Sequence, residues 1–196
     1  MSIKSYKKLG IFGGSFNPIH LGHLITVEEV REKLKLDKVL FVPTFLPPHK
    51  QKLIDYHHRR TMVNLAIKNN PYFEISDIEK EIQGTSFTIE TLKLLKQKYP
   101  QAQFYLIIGA DEFFLLNTWR DPDKLTQYAT LVVMLRPQQK IDINRKMTKT
   151  KIIKVTQIDI SSSDIRQAIK LGRSVRYKIS EKVYDYIKKN KLYLSK

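Results

Sequence analysis

Four short apolar runs, each bounded by turn residues and separated by stretches of helical spacing, set the limits on how this chain can fold. They are Leu9-Gly10-Ile11-Phe12, Val39-Leu40-Phe41-Val42, Phe104 to Ile108 and Leu131 to Leu135. Runs of that length, rich in Val, Ile and Phe, suit strands covered on both faces, as in a parallel sheet. A weaker strand is expected around Ile152 to Ile158. Helical patterns occupy Leu24 to Leu36, Arg59 to Lys68, Thr88 to Tyr99 and the polar stretch Asp121 to Tyr128, then Asp164 to Leu171 and Ser180 to Lys189. The order β-α-β-α-α-β-α-β-β-α-α implies an α/β fold, a doubly wound parallel sheet with right-handed crossovers and helices on both faces. With 196 residues, no internal repeat and no Gly/Ser-rich linker, one domain spanning 1–196 is expected, its C-terminal helical part beginning near residue 160.

The chain has no cysteine, which removes disulfides, thiolate nucleophiles, iron–sulfur clusters and cysteine zinc sites. The segment before Gly13 has no long apolar stretch, and nowhere do 18 apolar residues follow one another, so a cytoplasmic protein without a membrane partner is expected. The net charge of +16 favours anionic partners without choosing among them. Lysine pairs such as Lys7-Lys8 and Lys188-Lys189, and the stretch Arg145 to Lys154, read as solvated surface. No nucleic-acid-binding pattern accompanies them, and a homo-oligomer is left open.

Parallel sheets of this kind bind ligands where strand ends meet helix starts, at the point where strand order reverses. The residues after the apolar runs are Gly13-Gly14-Ser15-Phe16-Asn17-Pro18-Ile19-His20, Pro43 to Lys50, Gly109-Ala110-Asp111 and Arg136-Pro137. In the first, a double glycine lets backbone approach an anion closely, and the following helix aims free N–H groups at it. Neither a Walker A pattern nor GxGxxG is present. His20 and His23, three apart, share a helix face and can donate to phosphate oxygens; a metal pair is the rival reading. Near the C-terminus, Ser161 and Asp164 have capping-box spacing, so a helix should start there, with Arg166 one turn in as a fixed fork for phosphate. His57-His58-Arg59-Arg60 reads as a helix start, since adjacent residues face different ways.

Gly13 to His23 resembles the GxFxPxHxGH signature of the nucleotidyltransferase superfamily, and Ile160-Ser161-Ser162-Ser163-Asp164-Ile165-Arg166 resembles its ISSTxIR signature. Phe45-Leu46-Pro47-Pro48-His49-Lys50, Ile107-Ile108-Gly109-Ala110-Asp111 with Trp119, and Gly84-Thr85-Ser86-Phe87-Thr88 are similar to segments of the bacterial nicotinate mononucleotide adenylyltransferase family. Lys191-Leu192-Tyr193 is similar to that family's ending. The likeness runs from about Ile11 to Tyr193 and implies a Rossmann-like fold and transfer of AMP from ATP to nicotinate mononucleotide.

By that resemblance His20, His23 and Arg166 are catalytic. Gly13, Gly14, Ser15, Phe16, Gly109, Asp111, Ile160, Ser161 and Ser162 bind ATP, and His49, Lys50, Thr88, Trp119, Arg120 and Arg136 bind the acceptor. The nicotinate ring would stack on Trp119, an indole face being a good partner for a cationic ring. Mg²⁺ is expected to come with ATP, held by nucleotide and water, with no metal site made of protein side chains. Asn17 and Phe87 stand where the family more often has Asp and Tyr, and Gln138 to Thr150 reads as a surface loop without family likeness. Three rivals stay open: a sister transferase with another acceptor, a metal phosphohydrolase built on His20, His23 and an Asp, and a non-catalytic nucleic-acid binder.

Overall fold

The computed structural model describes residues 6–48, 53–82, 84–135 and 149–194. Six strands form one sheet: β1 (Lys8–Gly14), β2 (Lys38–Pro43), β3 (Phe73–Ile75), β4 (Gln103–Gly109), β5 (Ala129–Leu135) and β6 (Thr150–Lys154). Their order across the sheet is β3-β2-β1-β4-β5-β6, and every neighbouring pair is parallel. The order reverses between β1 and β4, so the crevice of a doubly wound sheet opens at the ends of those two strands.

Alternation along the strands explains the two-sided cover. Phe12, Val39, Phe41, Tyr105, Ile107 and Val132 enter one core. Leu9, Ile11, Leu40, Val42, Phe104, Leu106, Leu131 and Val133 enter the other. On the first face lie α1 (Leu21–Leu34) through Val27 and Val30, and α2 (Tyr56–Ile67) through Met62, Val63 and Ile67. The second is covered by α3 (Thr88–Lys98) through Ile89, Leu92 and Leu95, and by the short helices α4 (Ala110–Phe114) and α5 (Leu125–Tyr128). The C-terminal part, α6 (Ser162–Lys170) and α7 (Glu181–Lys189), packs Ile165, Val183 and Ile187 onto the α1–α2 side. Among the described residues, no helix is long and apolar enough to cross a membrane.

Three local readings are corrected. β3 was not expected; it is three residues long and only Phe73 is buried, too short a run to stand out in sequence. The expected last strand is shifted to Thr150–Lys154: its pairing with β5 is described as far as Leu135, whose C=O takes the last ladder bond from Val155 N–H at 3.1 Å. The polar stretch at Asp121 is a 3₁₀ turn, Pro122–Lys124, followed by the one-turn α5. Of the expected loop 138–150, residues 138–148 lie outside the described residues.

Candidate active site

The loop from β1 to α1 is shaped by its carbonyls. Gly14 C=O accepts from Thr44 N–H at 2.9 Å, and Ser15 C=O accepts from the Arg59 guanidinium at 2.8 Å. Asn17 C=O accepts from Arg166 at 2.7 Å, and Pro18 C=O from the Ser162 hydroxyl at 2.8 Å. Donors from the residue after β2, from α2 and from α6 therefore converge on one short segment. Within it Phe16 adopts a left-handed conformation, φ 45°, which costs a non-glycine residue about 1–3 kcal/mol and persists only where surroundings enforce it. Its ring supplies that enforcement, buried against Phe12 and Phe41 and edge-on to His23 at 5.4 Å.

His20 caps α1, and its imidazole stacks on that of His23 with centroids 3.6 Å apart and planes inclined by 24°. His20 N–H donates to His23 Nδ1 at 3.2 Å. A backbone N–H can only donate, so His23 Nδ1 is the acceptor and its neutral ring carries the proton on Nε2. His20 Nδ1 is buried without a hydrogen-bond partner. Burial pulls the His20 pKa down to about 4. Burial, then the neighbouring His20 charge, holds His23 well below the usual imidazole range. Gly22 makes the stack possible: a Cβ there would lie 3.0 Å from His20 Nδ1 and 3.2 Å from Cε1.

The helix start offers fewer donors than the sequence suggested. Leu21 N–H is taken by Lys178 C=O at 2.9 Å and His23 N–H by His20 C=O at 3.0 Å, leaving Gly22 N–H without a protein acceptor among the described residues. At α6 the Ser161 hydroxyl accepts from Asp164 N–H at 3.0 Å, which is the expected cap, and donates to its carboxylate at 2.6 Å. With the Ser162 hydroxyl turned to Pro18, α6 presents its first-turn amides, Ser162 and Ser163, more than its hydroxyls. Ile160 is half-buried in the approach to this turn.

A second junction joins the segments expected to hold the acceptor. Ser86 N–H donates to Leu46 C=O at 2.8 Å, and Leu46 N–H to the Ser86 hydroxyl at 3.1 Å, so the loops 44–48 and 84–88 are stitched together. Gly84 sits at φ 103°, a conformation a side chain would strain. Thr88 opens α3, and the exposed Arg120 guanidinium lies over the Phe87 ring at 4.8 Å. Trp119 is half-buried between two 3₁₀ turns, packed on the α3 core. Gly13 and Gly14 end β1, and Gly109 caps α4, whose first turn carries Asp111 on the neighbouring strand's loop. His49, Lys50 and Arg136 lie outside the described residues.

Sequence reasoning missed three groups. Arg59, read only as part of a helix start, is 2% exposed and donates from Nε to Ile54 C=O at 3.1 Å as well as to Ser15. Glu79, also buried, accepts from Phe45 N–H at 3.0 Å and from the Thr91 hydroxyl at 3.2 Å; burial pushes its pKa up. Tyr193 donates to the Asn17 side-chain oxygen at 2.9 Å, tying the C-terminal segment to the loop.

The cytidylyltransferase-like family model matches residues 11–168. A protein of Thermoanaerobacter sp. named probable nicotinate-nucleotide adenylyltransferase is 42% identical over 198 residues, covering 95% of this chain and 94% of its own. One of the same name from Syntrophotalea carbinolica is 39% identical over 213 residues, covering 96% and 98%. Among solved structures, Plasmodium falciparum nicotinic acid mononucleotide adenylyltransferase complexed with NaAD is similar with a TM-score of 0.83 at 26% identity, covering 95% of this chain and 97% of that one. Family match, sequence identity and near-complete coverage agree, and the chain belongs to the cytidylyltransferase-like family and, within it, to the nicotinate-nucleotide adenylyltransferases.

Proposed function

We propose that this protein transfers the AMP moiety of ATP to nicotinate mononucleotide, giving nicotinate adenine dinucleotide and pyrophosphate. The observation that carries this reading is the meeting of the two signature segments: the Arg166 and Ser162 side chains bond the loop that presents His20 and His23, at 2.7 and 2.8 Å. A triphosphate lying there has the imidazole pair on one side and the α6 amides on the other.

In this reading an oxygen of the acceptor's 5′-phosphate attacks the α-phosphorus of ATP, a new P–O–P bond forms, and the α–β bridging P–O bond breaks with its electron pair leaving on pyrophosphate. The attacking phosphate is already ionised at neutral pH, so no general base is needed, and catalysis is positioning plus charge stabilisation. His23, proton on Nε2, donates to a phosphate oxygen; His20 does the same beside it. Arg166, with N–H groups beyond those spent on Asn17 and Ser163, holds the leaving pyrophosphate together with the Ser161–Ser163 turn. Gly13 to Phe16 line the phosphates, and Gly109 and Asp111 face the adenosine. Thr88, Trp119 and Arg120 hold the nicotinate, and His49, Lys50 and Arg136 are the further acceptor-binding residues of this reading.

Transferases of this class generally work with a divalent metal. Among the described residues no group of three His, Asp or Glu side chains comes together to hold an ion, and the donors at the crevice are amides, imidazoles and a guanidinium, which suit phosphate oxygens better than a cation. We therefore read Mg²⁺ as arriving on the triphosphate, where it would neutralise charge on the phosphoryl oxygens. We read 1–196 as one nucleotidyltransferase domain acting in the cytoplasm. The test offers Mg²⁺-ATP with nicotinate or nicotinamide mononucleotide and follows pyrophosphate and dinucleotide. Formation of nicotinate adenine dinucleotide supports the reading; phosphate release without dinucleotide, or no reaction with either acceptor, refutes it.

A further inference from the structure

Arg59 is a buried cation with an unusual set of partners. Its neighbour Arg60 reaches the half-exposed Asp77 carboxylate with two nitrogens, both at 2.8 Å. Arg59 has no carboxylate within ion-pair distance among the described residues and spends its guanidinium on two main-chain carbonyls, Ser15 and Ile54. Burying a charge without an ion-pair partner is expensive even with the Tyr56 ring 5.5 Å from the guanidinium and the Asp55 and Glu79 carboxylates at longer range, and an apolar side chain of similar volume would fill the space at lower cost. Core packing therefore does not account for a guanidinium here, whereas the orientation of the two carbonyls does.

Ser15 and Phe16 are joined by a trans peptide, the Asn17–Pro18 bond being the cis one. In a trans peptide C=O and N–H point in opposite directions. Drawing Ser15 C=O into the protein thus turns Phe16 N–H the other way, as the Thr44 bond to Gly14 C=O does for Ser15 N–H. A phosphate cradle needs both halves of this arrangement, since an outward carbonyl would repel the oxygens that an outward amide attracts. Phe16 is also the strained residue whose ring abuts His23, so a turned Ser15–Phe16 peptide would disturb the imidazole stack as well.

We infer that Arg59 is a positioning residue for the triphosphate, which it never touches: by holding the Ser15 carbonyl inward it keeps the β1–α1 loop amides aimed at the phosphates. The inference rests on the adenylylation reading only for its ligand, ATP. The test measures Mg²⁺-ATP binding to the full chain by calorimetry, without acceptor, for wild type, Arg59→Met and Arg59→Lys, beside thermal unfolding of each. Arg59→Met is expected to weaken ATP binding tenfold or more in a cooperatively folded protein, with Arg59→Lys recovering part of the loss because an ammonium still donates to Ser15 C=O. An ATP dissociation constant moved less than threefold in folded Arg59→Met, whatever its melting temperature, overturns the inference. If Arg59→Met does not fold, Arg59→Lys decides: binding weakened threefold or more supports the role and a smaller change sinks it. A wild type that binds ATP yet makes no dinucleotide would defeat the adenylylation reading and leave this test intact.

Discussion

The Arg166 guanidinium meets the main-chain carbonyl of Asn17 at 2.7 Å across 149 residues of chain, and the same fork reaches the Ser163 hydroxyl at 3.2 Å. One side chain thus fastens α6 to the β1–α1 loop and still has N–H groups for a ligand. Charge-assisted bonds of this kind contribute about 1.5–3 kcal/mol each when well formed, less here because the side chain is partly solvated. Arg166→Lys keeps the charge and loses the fork. The expected result is a fall of about 10²-fold in kcat/KM for ATP with a melting temperature within a few degrees of wild type. Steady-state kinetics at saturating acceptor checks it, and an unchanged kcat/KM would take Arg166 out of pyrophosphate binding.

His20→Ala separates chemistry from fold. Removing a donor aimed at developing charge typically costs about 10²–10³ in rate, and the Nδ1 left unpartnered in the stack means little hydrogen-bonding stability is lost with it. Turnover should fall by that order while the unfolding free energy at pH 7.5 changes by under about 2 kcal/mol. Turnover within a few-fold of wild type in a folded variant would remove His20 from the mechanism.

The same histidine makes stability depend on pH. Burial lowers its folded-state pKa from 6.5 to about 4, so between those values the unfolded chain binds the proton and the folded one does not. Stability from this group is fully present above pH 6.5 and is lost as pH falls toward 4; a shift of this size corresponds to roughly 3 kcal/mol at most. His23 acts in the same direction. Urea midpoints should therefore drop between pH 7 and pH 5, and the drop should shrink in His20→Ala. A bound polyphosphate favours the protonated ring, so tripolyphosphate binding at pH 6 should take up protons, seen as a dependence of calorimetric heat on buffer ionisation enthalpy. Heats that do not vary with buffer would contradict the coupling.

What the sequence disclosed, and what it hid, follows from where each signal resides. Val39 to Val42 and Phe104 to Ile108 could be read as strands because two-sided burial leaves an unbroken apolar run, whereas β3 has one buried residue and left no run. The Ser161 cap was legible because capping needs a particular side chain at a fixed spacing. Arg59 was not, because its partners are main-chain carbonyls, which any residue can supply, and nothing within HHRR distinguishes the buried arginine from the one paired with Asp77. The expectation that α1 opens with free N–H groups holds for Gly22 but not for its neighbours: Lys178, far along the chain, occupies Leu21 N–H, and the His20 carbonyl occupies His23 N–H.

Gly22 gives a prediction in which local and tertiary preferences oppose each other. Alanine is favoured over glycine by up to about 1 kcal/mol in a helix interior and by less in the first turn, where Gly22 lies, but its Cβ would stand 3.0 Å from His20 Nδ1, so the imidazole must shift. Displacements of about 1 Å in a catalytic group can cost about 10²-fold. Gly22→Ala should melt within a few degrees of wild type while losing tenfold or more in kcat, and wild-type turnover would show that the stack tolerates the shift.

By the resemblance to the family's first signature, Asn17 stands where aspartate is the commoner residue. Its side-chain oxygen accepts from the Tyr193 hydroxyl while its carbonyl accepts from Arg166, and it is 1% exposed. The loop therefore needs an acceptor oxygen at this place, which a carboxylate supplies as well as an amide, with the Arg166 cation close by to compensate the new charge. Nothing in the proposed reaction needs a base here, because the attacking phosphate is already an anion. Asn17→Asp should keep kcat within about fivefold of wild type, whereas Asn17→Leu, which removes the acceptor and leaves the tyrosine hydroxyl unpaired, should lower stability by about 1–3 kcal/mol. A gain of 10² or more in kcat for Asn17→Asp would instead mean that a carboxylate at this position does chemistry, and that phosphate attack requires proton abstraction after all.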